Sequence, residues 1–366
     1  MDNAKQDGST EGHPLLTFAV LTYNQEKFIQ EAVKAALAQT YQPLEVIISD
    51  DCSTDSTYSV IKNVVRSYSG PHRLIINQNA EQLGIIGHVN RVMTLTEGKL
   101  VIAAAGDDIS FPHRTERVYE AWLFSKRKAT SLFSQYTTID ERGTVISPAS
   151  ITDRNYVHSR VLNISASDFL RRKIPIIGGG CSHVWSRRLF ELLGPLPEDI
   201  PNMVNEDFTI AFRSSLLGAV AEIPEPLVYY RRHSTNVSSG ISKRRLRNYD
   251  ELAALEIRRR RMLDRFIAAF YCAEKDVNTA LAKGLISVEC GTICRREIAF
   301  ECRCLEIRKG FPFGSLLKGL KALFTLARSG CGPRAILHLI PRLLPYPLFA
   351  RAALFFDMLG YRIYDM

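Results

Sequence analysis

The chain has 366 residues, of which 46% are hydrophobic and 23% charged, a composition that excludes an intrinsically disordered protein. Residues 1–240 contain 24 Lys and Arg against 26 Asp and Glu, whereas residues 241–366 contain 23 against 12, a net charge of +11. The length and this change in charge predict two parts, residues 14–240 and a basic, mostly helical region at residues 241–366.

Membrane-spanning and secreted classes of protein are disfavoured. No apolar run is long enough for a spanning helix, and the first one, Leu15–Leu21, is too short for a secretory signal. The eight cysteines show no disulfide-like spacing, and the four in Cys290–Cys304 are spaced more like core residues than zinc ligands. We therefore expect a cytoplasmic protein.

Residues 15–105 alternate between apolar runs of strand length and stretches with apolar residues at helical spacing. Strands are predicted at Leu15–Leu21, Leu44–Ser49, Arg73–Asn77 and Leu100–Ala105. Asn24 is the expected N-cap of the first helix, and the third helix is expected to end before Gly98. This alternation predicts a mostly parallel α/β sheet, which binds ligands at the carboxyl ends of its strands.

The pattern is less regular after residue 105. Ser131–Ile139 and Thr144–Ile146 flank Glu141–Gly143, which predicts a hairpin. The three glycines of Gly178–Gly180 predict a flexible segment or a close approach of the backbone.

Polar clusters follow three of the predicted strands. Their members are Thr22, Tyr23 and Asn24 after the first strand, Asp50 and Asp51 after the second, and Asp107 and Asp108 after the fourth. Parallel strands would bring these clusters to one crevice, where the carboxylates repel unless a cation such as Mg²⁺ or Mn²⁺ lies among them. Each Asp pair taken alone is equally well explained as a turn or helix cap.

Taken together, the blocks V-L-T-Y-N, S-D-D-C-S-T-D and G-D-D-I-S-x-P resemble those of the family 2 glycosyltransferases of the GT-A type. The resemblance extends from about Pro14 to Ser238 and includes Asn79–Asn90. It implies a GT-A nucleotide-diphospho-sugar transferase fold, with a Rossmann-like, mostly parallel sheet and a mostly helical C-terminal extension. The implied activity is inverting, metal-dependent transfer of a sugar from a UDP- or dTDP-sugar to a lipid-linked or polysaccharide acceptor. The related bacterial enzymes make O-antigen or capsule.

The resemblance also implies roles for single residues. The positions that match donor-binding residues are Thr22, Tyr23, Asn24, Asp50, Asp51 and Asp107. Asp108 matches the ligand of the Mn²⁺ or Mg²⁺ cofactor, and Asp107 either shares the metal or faces the sugar or ribose. This chain has G-D-D in place of D-x-D, which leaves the division of roles within the pair open.

Two later blocks complete the resemblance. Asn205–Phe208 resembles the family's E-D motif, which implies that Asp207 is the general base and that Glu206 orients it. A helix cap followed by two acids explains the same residues without catalysis. Tyr230–Ser238 resembles a Y-R-x-H-x-x-N-x-S segment, which implies that Arg231 and His233 contact the diphosphate, although a solvated loop is the alternative.

Other functions are less well matched. A sugar nucleotidyltransferase needs a Gly-rich loop with a basic residue near the first strand, and a non-catalytic nucleotide-sugar-binding protein leaves Asp207 unexplained. The basic region has no nucleic-acid-binding motif. Its segments Ser315–Ala327 and Ala335–Phe356 mix apolar and basic residues, which predicts either peripheral contact with the inner face of the cytoplasmic membrane or packing on the rest of the chain.

Overall fold

The computed structural model describes residues 12–147, 159–171, 180–233, 236 and 249–309. The strands are β1 (Leu16–Thr22), β2 (Leu44–Asp50), β3 (Arg73–Gln78), β4 (Leu100–Ala105), β5 (Ile109–Ser110), β6 (Ala129–Ile139), β7 (Val145–Ser147), β8 (Arg160–Leu162), β9 (His183–Ser186) and β10 (Ala219–Arg231). The helices are α1 (Ile29–Leu37), α2 (Thr57–Arg66), α3 (Gly84–Leu95), α4 (Arg114–Phe124), α5 (Ala166–Leu170), α6 (Arg187–Leu193), α7 (Glu206–Leu217), α8 (Tyr249–Ala282) and α9 (Val288–Lys309).

The chain folds into two compact units. Unit 1 comprises Met1–Ile164, Ile176–Leu196 and Arg213–Arg232, and unit 2 comprises Ser165–Pro175, Pro197–Phe212 and His233–Met366. The expected division at residue 240 stays a prediction.

A mixed sheet forms the centre of unit 1. Its order is β3-β2-β1-β4-β9-β6-β10-β5, with β7 beside β6 and β8 beside β10. Strands β3, β2, β1 and β4 are mutually parallel, as are β6 and β10, whereas β9 runs antiparallel to both β4 and β6. The four predicted strands are confirmed to within one residue at each end. The four-residue strand β9 is too short to stand out in the sequence.

The core lies on both faces of the parallel strands. Strand β2 is buried along its whole length, and β1 and β4 almost so, as expected of a sheet covered on both sides. On α1 the buried residues are Ile29, Ala32, Val33 and Ala36, which confirms the helical spacing. On α3 the buried apolar residues Ile86, Val89 and Val92 also recur at helical spacing.

Asn24 is not the N-cap of α1. The helix begins at Ile29, Phe28 occupies the cap position, and no side chain accepts a hydrogen bond there. Asn24 instead has a φ of 51°, and its Oδ1 accepts the backbone N–H of Thr54 at 2.8 Å. The prediction failed because the side chain is used to join two loops, four residues ahead of the helix cap.

The predicted hairpin is confirmed. Strands β6 and β7 pair antiparallel, and the carboxylate of Asp140 accepts the backbone N–H groups of Arg142 at 2.9 Å and Thr144 at 2.8 Å. Gly143 has a φ of 86°, a left-handed conformation in which a side chain would be strained.

Unit 2 is helical in the part that the structure describes. Helices α8 and α9 pack together, and the rings of Phe169, Phe208 and Phe270 form a chain of contacts with centroids 5.1 and 5.5 Å apart. Cys290 and Cys294 lie one turn apart on α9, and Cys294 is buried, as expected of a core residue.

None of the helices within the described ranges is both long and apolar enough to cross a lipid bilayer. The segments Ser315–Ala327 and Ala335–Phe356 lie outside the described residues, as do the first two glycines of Gly178–Gly180. The predictions made for those segments therefore stay predictions.

Candidate functional site

The three polar clusters of unit 1 converge, as predicted, at the carboxyl ends of β2, β1 and β4. Thr22 is paired with Asp50 in the parallel register of β1 and β2, and Leu21 is paired with Ala105 in that of β1 and β4. The backbone N–H of Asp51 donates to Thr22 at 2.9 Å, and that of Gly106 donates to Leu21 at 3.0 Å. The loops that carry the candidate residues therefore start side by side.

Asp51 is buried, and its carboxylate accepts three hydrogen bonds from protein donors. It accepts the side-chain amide of Asn79 at 2.8 Å and the backbone N–H groups of Leu83 and Gly84 at 2.9 Å each. These bonds fix the loop between β3 and α3. A ribose or base contact by Asp51 stays a prediction.

Asp50 is used in a similar way. Its carboxylate accepts the backbone N–H of Ser53 at 3.0 Å, the Ser53 hydroxyl, and the side-chain amide of Gln78 at 3.1 Å. Asp50 thus shapes the start of the loop between β2 and α2, and its predicted contact with the donor is likewise untested.

The loops after β1 and β2 are joined to each other. The backbone N–H of Asn24 donates to Ser53 Oγ at 2.8 Å, and the backbone N–H of Thr54 donates to Asn24 Oδ1. The carboxylate of Glu26 accepts the backbone N–H of Ser56 at 3.0 Å. We call these contacts the loop clasp.

Tyr23 and Thr22 lie at the base of the same loop with different exposure. The Tyr23 side chain is 38% exposed, which leaves its ring accessible to a planar ligand. Thr22 is buried and donates its hydroxyl proton to Gln25 Oε1 at 2.8 Å.

Asp107 and Asp108 follow β4 and are both buried. Gly106 precedes them where space is lacking, since a Cβ there would lie 2.5 Å from Thr22 Oγ1. Asp108 Oδ1 accepts the backbone N–H of Arg231 at 2.8 Å. Burial, reinforced by the neighbouring Asp107 carboxylate, raises the pKa of Asp108 well above its usual value.

Arg114, at the start of α4, is a charged neighbour of Asp108 that the sequence analysis missed. It is completely buried and donates to Ser110 Oγ at 2.9 Å and to the carbonyl of Ala103 at 2.8 Å. Burial lowers the pKa of Arg114 to about 10, so it keeps its charge at neutral pH and partly offsets that of Asp108. No sequence signal separates it from a surface arginine on an amphipathic helix.

Arg231 lies within this cluster, at the end of β10, and its guanidinium is bound by protein groups. Its Nε donates to the carbonyl of Asp107 at 3.0 Å, its Nη1 to that of Glu141 at 3.0 Å, and its Nη2 pairs with the Glu31 carboxylate. These hydrogen bonds engage the guanidinium with protein groups. The contact with the diphosphate that the sequence implies stays a prediction.

A polar network that the sequence analysis also missed is joined to Asp51 through Asn79. His88 contacts Ser49 Oγ at 2.8 Å, and the side-chain amide of Asn77 donates to Ser49 Oγ at 3.0 Å and to Asn79 Oδ1 at 2.9 Å. Burial lowers the pKa of His88, which favours the neutral ring at pH 7. The spacing of single polar residues in strand or helix patterns does not reveal such a network.

Glu206 and Asp207 belong to unit 2 and open helix α7. Asp207 Oδ1 accepts the backbone N–H of Phe208 at 2.7 Å. Burial raises the pKa of Asp207, and burial together with the Asp207 charge raises the pKa of Glu206 to about 8. A base with a raised pKa holds its proton more tightly and suits proton abstraction near neutral pH.

His233 also belongs to unit 2, where its backbone N–H donates to Asn236 Oδ1 at 2.6 Å. The candidate residues brought together in unit 1 are Thr22, Tyr23, Asn24, Asp50, Asp51, Asp107, Asp108 and Arg231. Glu206, Asp207 and His233 belong to unit 2 and are not part of this group.

The pair Asp107–Asp108 is suited to a divalent cation. Within the described residues, the one hydrogen bond to the Asp108 carboxylate is that of Arg231 to Oδ1, which leaves Oδ2 available. No group of three or more His, Cys, Asp or Glu residues in those ranges is arranged to hold a metal. A cation at this pair would therefore take other ligands from water and phosphate oxygens, as Mg²⁺ commonly does.

A protein-family model matches just under half of this chain. Residues 17–189 match the profile described as Glycosyl transferase family 2. An uncharacterized glycosyltransferase of Rickettsia felis is 28% identical over 232 residues, which cover 63% of this chain and 36% of the relative. The chain thus spans little more than a third of the length of that relative.

Solved structures support the fold. The mannosyltransferase PcManGT from Pyrobaculum calidifontis, in complex with GDP-Man and Mn²⁺, aligns with a TM-score of 0.51 and 19% identity over 96% of this chain and 88% of that one. S. aureus TarS 1-349 in complex with UDP aligns with a TM-score of 0.50 and 16% identity over 94% and 87%. The predicted GT-A fold is confirmed, and the C-terminal region is helical over the part that the structure describes, residues 249–309.

Proposed function

We propose that residues 17–189, which match the Glycosyl transferase family 2 profile, form a glycosyltransferase domain, and that the protein transfers a sugar from a nucleotide-sugar donor. The observation that carries the proposal is the convergence of Tyr23, with its accessible ring, and the under-bonded Asp108 at one sheet edge. An accessible ring is suited to a nucleoside base, and a carboxylate beside the strand end is suited to a cation that bridges to a diphosphate.

The donor is a UDP- or dTDP-sugar, held by the loops after β1, β2 and β4. Asp108, with Asp107, would hold Mn²⁺ or Mg²⁺, which supplies stabilisation of the charge that develops on the leaving diphosphate. The loop clasp keeps Tyr23 and the Asp50–Asp51 turn in place before the donor binds.

Asp207 is the general base and Glu206 orients it. The acceptor hydroxyl loses its proton to Asp207 as its oxygen attacks the anomeric carbon from the face opposite the diphosphate, so the reaction inverts the configuration. A neutral Glu206 beside an ionised Asp207 avoids two adjacent charges in a partly buried position, in line with the raised pKa of Glu206.

The acceptor is a lipid-linked oligosaccharide or polysaccharide of the O-antigen or capsule type. The net charge of +11 in residues 241–366 supports peripheral contact with anionic lipid at the inner face of the cytoplasmic membrane. Cosedimentation of the full chain with vesicles of 30% phosphatidylglycerol, at about 50 and 300 mM salt, tests this contact. We expect the protein to sediment with the vesicles at low salt and less at high salt. If the same amount of protein sediments with and without vesicles, the membrane contact is contradicted.

The activity is tested by incubating the protein with UDP-, dTDP- and GDP-sugars, Mn²⁺ and a lipid-diphosphate-linked acceptor, and measuring release of nucleoside diphosphate. The same mixture without the protein gives the background. Release that never exceeds this background for any donor would refute the proposal. Pyrophosphate release from a nucleoside triphosphate and a sugar phosphate would instead favour a nucleotidyltransferase.

A further inference from the structure

Arg231 is nearly inaccessible to solvent, and three separate segments of unit 1 bind its guanidinium. Nε donates to the carbonyl of Asp107, Nη1 donates to that of Glu141 in the β6–β7 turn, and Nη2 pairs with Glu31 on α1. The ring of Phe28 covers one face, with its centroid 5.0 Å from the guanidinium carbon. Such a setting fixes the side chain more firmly than a phosphate-binding arginine on an open loop.

The backbone of the same residue holds the neighbouring aspartate. The Arg231 N–H donates to Asp108 Oδ1 at 2.8 Å, so Arg231 contacts Asp107 through its side chain and Asp108 through its main chain. The orientation of the Asp107–Asp108 pair therefore depends on Arg231 at two points.

We propose that Arg231 is a positioning residue, which holds Asp107 and Asp108 in the geometry that a divalent cation and a nucleoside diphosphate require, and that it does not bind the diphosphate itself. This inference rests on the proposed function. Reaching a phosphate would require the guanidinium to leave the Asp107 carbonyl and the Glu31 carboxylate, at the cost of both bonds.

Glu31 separates the two roles of Arg231. If Arg231 positions the aspartates, loss of the Glu31 charge loosens the guanidinium and weakens cation binding at Asp108. If Arg231 binds the diphosphate, the same change frees the guanidinium and strengthens binding of the nucleotide. Glu31→Gln is suited to this test because the Glu31 side chain is 57% exposed, so we expect the variant to fold.

The experiment measures binding of Mn²⁺ in the presence of UDP or GDP, by the electron paramagnetic resonance signal of free Mn²⁺, at about 0.15 M salt to screen distant charges. We expect Arg231→Gln to weaken Mn²⁺ binding roughly 10- to 100-fold, as for other groups that orient a ligand. Arg231→Lys should recover part of this loss. Glu31→Gln should weaken binding roughly 2- to 5-fold, and its effect should disappear in the Arg231→Gln background.

Arg213 provides a matched control. It is also buried, donates to the carbonyls of Gly194 at 2.8 Å and Pro195 at 3.1 Å, and lies over the Phe190 ring at 5.5 Å. Arg213→Lys should lower the melting temperature as much as Arg231→Lys does and leave Mn²⁺ binding unchanged. Equal losses of Mn²⁺ binding in the two variants would mean that Arg231 acts only through general stability.

The outcomes separate the inference from the function on which it rests. Tighter Mn²⁺–nucleotide binding by Glu31→Gln, or unchanged binding by Arg231→Gln, would overturn the positioning role and leave the glycosyltransferase proposal in place. Absence of binding by the unaltered protein with every nucleotide would overturn both.

Discussion

The same Asp-Asp pair occurs near the ends of two strands at one edge of the sheet, yet the carboxylates have different surroundings. After β2, Asp51 accepts three hydrogen bonds from nearby N–H groups. After β4, Asp108 accepts a single side-chain hydrogen bond from the described part of the chain and lies beside the Asp107 carboxylate. A carboxylate that accepts several hydrogen bonds stabilises the fold, whereas a carboxylate that accepts few and is buried beside another one destabilises the fold until a cation binds.

The role of an Asp-Asp pair therefore cannot be inferred from the pair alone. The end of β3 and the loop between β3 and α3 lie against the end of β2, so amide groups reach Asp50 and Asp51. The loop after β4 is held at its carbonyl by Arg231, which leaves a carboxylate oxygen of Asp108 open. Which pair can bind a ligand is thus decided by neighbouring segments.

Glu206 and Asp207 form a third acidic pair, in unit 2, and their raised pKa values make them resemble the pair after β4. Asp207→Asn should lower kcat roughly 10²- to 10⁴-fold, because the acceptor hydroxyl loses its base. Nucleotide binding, measured by calorimetry, should stay within about twofold of the unaltered protein, a difference below the energy of one hydrogen bond. A variant that retains its turnover would remove the base assignment.

Asp108→Asn should weaken metal-dependent nucleotide binding roughly 100-fold. The amide oxygen can still accept the Arg231 N–H, and repulsion with Asp107 is lost, so the melting temperature of the metal-free protein should stay equal or rise. Calorimetry with Mn²⁺ and UDP, together with thermal unfolding, measures both effects. A clear fall in melting temperature with intact nucleotide binding would mean that Asp108 stabilises the fold and does not bind the metal.

Asp51→Asn should show the opposite pattern. Whichever way the new amide turns, its NH₂ group faces at least one donor among Asn79, Leu83 and Gly84, which should destabilise the fold by about 1–3 kcal/mol. Urea unfolding of the variant and of Asp108→Asn gives a direct comparison. Unchanged stability of Asp51→Asn would mean that the loop does not depend on its carboxylate.

The smallest expected effect is on the pH dependence of stability. Burial raises the pKa of Asp108, Asp207 and Glu206, so the folded protein holds these protons more tightly than the unfolded chain does. The stability that these protonated groups contribute is present at low pH and is lost as pH rises through their raised pKa values. For Glu206 that pKa is about 8. The melting temperature of the metal-free protein should fall by about 2–4 °C between pH 6.5 and 8.5.

Glu206→Gln is the control for this measurement. It should flatten the decline in melting temperature, because the variant has no proton to lose at that position. A melting temperature that rises with pH in the unaltered protein would contradict the raised pKa values.

Sequence periodicity was sufficient for the parallel half of the sheet, since β1 to β4 and their helices have regular apolar spacing and short connections. It also located the convergence of Thr22, Asp50 and Asp107, because parallel strands bring their carboxyl ends to one edge. The failure at Asn24 came from a contact between residues about thirty positions apart, which no local rule for helix caps contains.

The roles of Arg231 and Arg114 were beyond the sequence for a related reason. Arg231 lies more than 120 residues from Asp107 in the chain, and its use depends on the register of β10 beside β6. A buried arginine that donates to carbonyls has the same local sequence context as one that awaits a phosphate. Only the position of the acceptors distinguishes them.

The loop clasp has a consequence for how a donor would bind. Thr54 and Ser56 donate their backbone N–H groups to side chains of the preceding loop, so both loops are ordered without a ligand. Association then requires little loss of loop entropy, and a nucleotide meets a surface already in its binding shape. Hydrogen exchange at the amides of Thr54 and Ser56 should be slow in the free protein and change little when nucleotide is added.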